Sequence, residues 1–197
     1  MTKTAQDSEM PGRPGAEVAD EPATTVAVYV VRHAHAQPRD GWTGSDSDRP
    51  LTDRGMKEAQ ALVDRFDTGQ VRERTHKSDS QALEPTPVLL LSSGAARCRA
   101  TLRPLARACG AAVETVEYLS EGSDAGCVLG QLKNLAASRG VKVLCTHGDV
   151  IWGTLELLEK AGVQLNGPVD VKKGSIWVLE FESGSVKSAR YIPPGKV

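Results

Sequence analysis

Thr25-Val-Ala-Val-Tyr-Val-Val31 is apolar from its second residue to its last and rich in β-branched side chains. A run without polar alternation offers no face to water, so it suits a central strand covered on both sides. Val88-Leu-Leu-Leu91, residues 112–116 and Val141-Lys-Val-Leu-Cys145 read as three further strands. Between them, apolar residues recur at spacings of three and four, the mark of helices with one buried stripe. The first such helix runs from 53 to 67, capped by Thr52 or Asp53, with Ala59, Leu62, Val63 and Phe66 on one face. The second, 95–108, aligns Cys98, Leu102, Leu105 and Cys109, stops at Gly110, and carries Pro104, which predicts a kink or an early weakness. A third, 124–138, buries Val128, Leu132 and Leu135, and a fourth spans 149–161. Strands over 174–181 and 185–192, joined at Glu182-Ser-Gly-Ser185, read as a closing hairpin. Strands alternating with helices predict an α/β three-layer sandwich: a mostly parallel central sheet with helices on both faces.

The domain is expected over residues 25–197, preceded by a flexible tail, 1–24, rich in Pro, Gly, Ala, Glu and Asp. A second polar stretch, 67–86, reads as a solvated insertion. With 24 basic and 25 acidic residues the net charge is -1, so there is no global electrostatic case for a nucleic-acid polymer. Aromatic residues make up 4%, which argues against base-stacking platforms and carbohydrate grooves. No apolar run approaches the length that spans a bilayer. The first residues contain no apolar signal core, so the expected location is cytoplasmic. Cys98, Cys109, Cys127 and Cys145 form no Cys-x-x-Cys pair, and buried thiols in a reducing compartment are the simplest expectation.

In open α/β sheets, ligands bind beyond the carboxyl ends of the strands. The first strand is followed there by Arg32-His33-Ala34-His35-Ala36 and the second by Ser92-Ser93-Gly94-Ala95-Ala96-Arg97. Tyr118-Leu119-Ser120-Glu121-Gly122 follows the third, and Thr146-His147-Gly148-Asp149 the fourth. Arginine offers planar paired donors to a phosphate dianion. A neutral imidazole can attack phosphorus, and a second can hold an equatorial oxygen. Gly94, Ala95 and Gly148 let backbone amides approach a ligand at helix N-termini. The set therefore points to phosphoryl transfer.

These motifs resemble the histidine phosphatase superfamily, the group that includes the phosphoglycerate mutases. Val31-Arg32-His33-Ala34 is similar to its Arg-His-Gly signature, with Ala for Gly. Ser92 to Arg97 with Thr101, and Thr146-His147-Gly148, resemble its second and third motifs. Leu51-Thr52-Asp53-Arg54-Gly55 is similar to the family's Leu-Thr-x-x-Gly helix start. Arg-His-Ala-x-Ala and Asp48-Arg49-Pro50-Leu51-Thr52 resemble the SixA-type phosphohistidine phosphatases. Arg97-Cys98 and Leu119-Ser120-Glu121 also resemble the phosphatase-like domain fused to some MutT-type Nudix hydrolases, although no Nudix motif is present.

The resemblance implies a phosphoglycerate mutase-like fold and a hydrolase that forms a phosphohistidine on His33, with no cofactor and no metal. Arg32, Arg97 and His147 would bind the phosphoryl oxygens, with Gly148 beside them. Glu121 would either protonate the leaving group or serve as a charge ahead of the third helix. Arg49 would either reach the phosphate or lie in a surface loop, together with Arg39 and Trp42. The substrate would be a phosphorylated small molecule, a nucleotide, or a phosphohistidine protein. A catalytically weak phospholigand-binding module is the alternative. A metal-dependent hydrolase built on His33-x-His35 and His147-x-Asp149 is a further one, which Arg32 disfavours by repelling a cation. Otherwise His35 is a bystander at the pocket rim, and His76 is solvated.

Overall fold

The computed structural model describes residues 25–67 and 87–196. The expected tail, most of the polar insertion and His76 lie outside the described residues. Among the described residues, seven strands form one sheet: β1 Val26–Arg32, β2 Val88–Ser92, β3 Val113–Thr115, β4 Val141–Thr146, β5 Gln164–Asn166, β6 Ile176–Glu182 and β7 Ser185–Ile192. Four α-helices accompany them there: α1 Asp53–Asp67, α2 Ala96–Cys109, α3 Ala125–Ala136 and α4 Gly148–Lys160. The spatial order is β3-β2-β4-β1-β6-β7-β5, and only β6 runs against its neighbours β1 and β7.

The unbroken apolar character of β1 has a direct cause. Val28 and Val30 point into a core shared with Leu132, Ile151, Leu155 and Leu158 of α3 and α4. Tyr29 and Val31 point the other way, onto Leu62 and Phe66 of α1 and Leu102 and Leu105 of α2. β2 and β4 divide likewise, with Leu91 and Leu144 on one side and Leu90, Val143 and Cys145 on the other. The three-layer sandwich follows from these two faces.

Three details differ from the sequence reading. β5 was not foreseen: three residues carry no period to read, and the strand exists because Gln164 to Asn166 pair with Ser188 to Arg190. α2 runs without interruption through Pro104 to Cys109. Cys98 and Cys145 are buried, but Cys109 and Cys127 are exposed, so the expectation of four buried thiols is corrected. Cys127 sits in the first turn of α3, where its backbone N–H reaches the capping Asp124 and its side chain faces solvent.

The loop after β1 is seated on the start of α1. Thr52 caps α1, its Oγ1 accepting the Gly55 N–H at 3.1 Å, while the Thr52 N–H donates to the His35 carbonyl at 2.9 Å. That carbonyl lies against Gly55 so closely that a Cβ there would fall 1.9 Å from its oxygen. The obstacle is backbone and cannot swing aside. Gly55→Ala therefore forces the loop and helix apart and is expected to destabilise the fold by roughly 1–3 kcal/mol, the usual cost of overpacking. Denaturant unfolding of the purified variant measures this directly, and an unchanged midpoint would contradict the seating described here.

Candidate active site

Parallel pairing of β1 with β4 sets Arg32 beside Thr146, and the His33 N–H donates to the Thr146 carbonyl at 3.0 Å. The residues that leave these strands, His33 and His147, consequently face each other edge to face with ring centroids 5.4 Å apart. An open cleft of about 450 Å³ lies over them, lined by Arg32, His33, Glu121, His147, Gly148, Asp149, Trp152 and Val171.

His33 is buried, and its Nδ1 lies 2.8 Å from the Ala34 carbonyl. A carbonyl only accepts, so Nδ1 carries the hydrogen and the lone pair resides on Nε2. Burial is the main cause that pushes the His33 pKa down to about 3, with His147, Arg97 and Arg32 adding like-charge repulsion against the Ala34 hydrogen bond. The Ala34 N–H in turn donates to Thr101 Oγ1 at 3.0 Å, which ties the loop after β1 to α2.

Arg32 donates to the Val171 carbonyl, and its Nε is buried without a protein partner among the described residues. Its guanidinium lies over Gly148, where a Cβ would come within 2.9 Å of Cζ and Nε. A side chain at 148 would thus push the Arg32 guanidinium aside. His147 occupies the N-cap position of α4 without a side-chain cap bond, and Gly148 and Asp149 of the first turn line the cleft. His147 Nε2 is 2.9 Å from Ser93 Oγ and 3.6 Å from Cys98 Sγ, and its Nδ1 is 3.3 Å from Arg97 Nη2.

Arg97 is 2% exposed because carboxylates cover it. Its Nη2 pairs with Glu121 Oε2 at 2.8 Å and Asp46 Oδ2 at 3.0 Å, and its Nη1 donates to the Asp46 carbonyl at 2.7 Å. Glu121 also meets Arg39 at 3.1 Å. The helix-start role considered for Glu121 is filled by Asp124, whose side chain caps α3. Arg49 is buried, held by Asp46 at 2.9 Å and by the Gln37 carbonyl at 2.7 Å, which places it behind Asp46. Arg39, Arg49 and Arg97 all converge on Asp46 and, through paired hydrogen bonds, hold its carboxyl below the usual range against the cost of desolvation.

His35 turns away from His33. Its Nδ1 sits 2.7 Å from Glu58 Oε1, and its N–H donates to Glu58 Oε2 at 3.0 Å. Glu58 is buried on α1 and also accepts from Arg54 Nε at 3.0 Å. Among the described residues no group of three or more His, Cys, Asp or Glu side chains is arranged to hold a metal ion, and no helix is long and apolar enough to cross a membrane. The sequence reading missed Asp46 and Glu58 as partners of the site, and quoted Ser93 within its motif without a role of its own. Asp46 left only a faint trace, its spacing of three from Arg49.

Residues 28–138 match the family described as the histidine phosphatase superfamily, branch 1. The chain is 31% identical over 177 residues to the 8-oxo-(d)GTP phosphatase of Mycolicibacterium smegmatis, covering 88% of this chain and 50% of that protein. It thus spans about half the length of that curated relative. Among solved structures, a SixA-type chain from Agrobacterium tumefaciens superposes with a TM-score of 0.60 at 23% identity, covering 86% of this chain and 99% of that one. A protein histidine phosphatase SixA complexed with tungstate gives 0.58 at 18% identity, covering 85% and 95%. At such identities the likeness is one of fold: the phosphoglycerate mutase-like α/β sandwich.

The burial of His33 has a measurable consequence. Ring-labelled protein followed by nitrogen NMR should keep His33 neutral, with hydrogen on Nδ1, down to about pH 4, where an ordinary histidine is fully charged. The folded pKa, about 3, lies below the unfolded value near 6.5, so only the unfolded chain takes up this proton between them. His33 therefore contributes a loss of stability as pH falls through that window and none above it. Titration near pH 6.5 would refute the buried, carbonyl-bound geometry.

Proposed function

Because the chain belongs to the histidine phosphatase superfamily, branch 1, we propose that it hydrolyses a phosphorylated substrate in two steps through a covalent phosphohistidine on His33. The observation that carries this reading is the Nδ1 bond from His33 to the Ala34 carbonyl, which leaves the Nε2 lone pair for a cleft lined by Arg32 and His147. In the first step Nε2 attacks phosphorus in line. The bond from phosphorus to the leaving oxygen breaks, its electron pair departs with that oxygen, and Glu121, protonated from the phosphate monoanion or solvent once it leaves Arg97, supplies the proton. In the second step water attacks phosphorus and returns a proton to Glu121. The phosphorus–nitrogen bond breaks, and neutral His33 is restored as inorganic phosphate leaves.

Arg32, Arg97 and His147 are assigned to the three phosphoryl oxygens, where preorganised donors act most strongly on charge in the transition state. Two guanidiniums supply the positive charge that a metal ion supplies in other phosphatases, so the reading requires no metal. For a phosphoryl oxygen to reach Arg97 Nη2, it must replace Glu121 Oε2, now 2.8 Å away. That exchange releases the Glu121 carboxyl toward the leaving group. Arg49 and Arg39 act through Asp46, keeping Arg97 aimed. The named activities of the relatives suggest two leaving-group classes, a nucleotide and the imidazole of a phosphohistidine.

A phosphorus–nitrogen bond survives alkali and breaks in acid. Turnover of 32P-labelled substrate in the presence of EDTA, quenched into base, is expected to leave label on the peptide containing His33, and mild acid should release it. His33→Ala should abolish both label and turnover. Label on His35 or His147, or loss of activity to EDTA with recovery on zinc or manganese, would overturn the assignment.

Glu121 has its own test. If it protonates the leaving oxygen, Glu121→Gln should slow alkyl phosphates by roughly 10²–10⁴-fold, the usual contribution of a general acid. Aryl phosphates with good leaving groups should be slowed far less. Equal slowing of both classes would reduce Glu121 to a partner of Arg97.

A further inference from the structure

The cleft is lined by the Arg32 guanidinium and the imidazoles of His33 and His147, and also by Trp152 and the Asp149 carboxylate. Trp152 is 43% exposed, and of the three large apolar side chains that are exposed among the described residues, Met56, Trp152 and Val169, it alone lines this cleft. The core does not require it. α4 buries Val150, Ile151, Thr154, Leu155 and Leu158, and Trp152 shares the opposite face with Glu156. Its indole Nε1 donates to Glu156 Oε1 at 2.9 Å, which uses its only donor. What the side chain then offers a ligand is aromatic surface.

Its position sets the geometry of that ligand. Trp152 follows Gly148 by four residues, so it stands on the same helix face one turn on, about 6 Å along the axis. Gly148 carries the Arg32 guanidinium. A phosphoryl group on Arg32 would thus stand one helical turn from the residue that carries the ring. Asp149 also lines the cleft, its Oδ2 accepting the Gly122 N–H at 2.7 Å, and its carboxylate can accept further donors such as sugar hydroxyls.

We propose that this cleft holds a stacking site for one planar base on Trp152, so that the leaving group carries a nucleoside. This rests on the phosphatase reading given above. The low aromatic content excludes a platform for a polymer, which needs several rings, but one base needs one ring.

The test compares nucleoside 5′-monophosphates, AMP and GMP, with ribose 5-phosphate, the same molecule without the base. For the unmodified protein, kcat/KM is expected to favour the nucleotides by roughly 5- to 100-fold, the range that stacking one base on an aromatic side chain supplies. Trp152→Ala should collapse that ratio toward one, mainly through KM, and Trp152→Phe should keep most of it. Ribose 5-phosphate turned over as well as AMP and GMP, or a ratio untouched by Trp152→Ala, would overturn the proposal. Failure of the phosphatase reading shows separately, as absence of turnover and of base-stable label with any phosphate ester. In that event calorimetric binding of AMP and ribose 5-phosphate to the His33→Ala protein, with and without Trp152→Ala, still decides: a Trp152-dependent preference for AMP upholds the stacking site, and equal binding removes it. Hydrolysis of a phosphohistidine peptide with no binding of nucleotides would also overturn it.

Discussion

The in-register pairing of β1 with β4 is the constraint from which the site follows. Because Arg32 lies beside Thr146, the first residues beyond each strand are two imidazoles, 5.4 Å apart. Parallel strands need long crossovers and burial on both faces. α1 and α2 cover one face of this sheet, and α3 and α4 the other. Catalytic placement and core formation are consequently one problem here. A one-residue slip of β1 would exchange Val28 and Val30 for Tyr29 and Val31 between the two cores, and it would carry His33 away from His147.

Holding cations at a buried strand end is costly unless they are paired. The fold meets this with carboxylates from distant segments: Asp46 from the loop after β1 and Glu121 from the turn before α3. Asp46 receives three arginines, so the loop that approaches the cleft is held by the residues it serves. On the far side of His33, Glu58 gathers the His35 backbone and ring together with Arg54, and the same turn rests on Gly55. His33 therefore lies between two carboxylate-centred clusters.

Much of this was legible from the chain. The apolar run 25–31 could only be a covered strand, and the four clusters at strand ends announced Arg32, His33, Arg97 and His147 by position. The carbonyl that accepts from His33 Nδ1 belongs to the next residue, so this contact is local to the motif itself. Glu58 was not legible. On its own helix it looks like any polar residue, and the partner that buries it lies 23 residues away in sequence. Asp46 had the same disguise in a polar loop. The exposure of Cys109 and Cys127 was hidden for another reason: both have apolar neighbours in sequence but sit near helix ends, where rotation by a fraction of a turn decides between core and water.

The contact between Arg32 and Gly148 makes two positions 116 residues apart answer to one another. Side chains at 148 are excluded only while a guanidinium occupies that space. A lineage that lost the arginine would release the glycine from constraint at once, whereas a lineage that gained even a methyl group at 148 would displace the arginine first. Drift at these two sites is therefore coupled: a change at 32 frees 148, and a change at 148 displaces the side chain at 32.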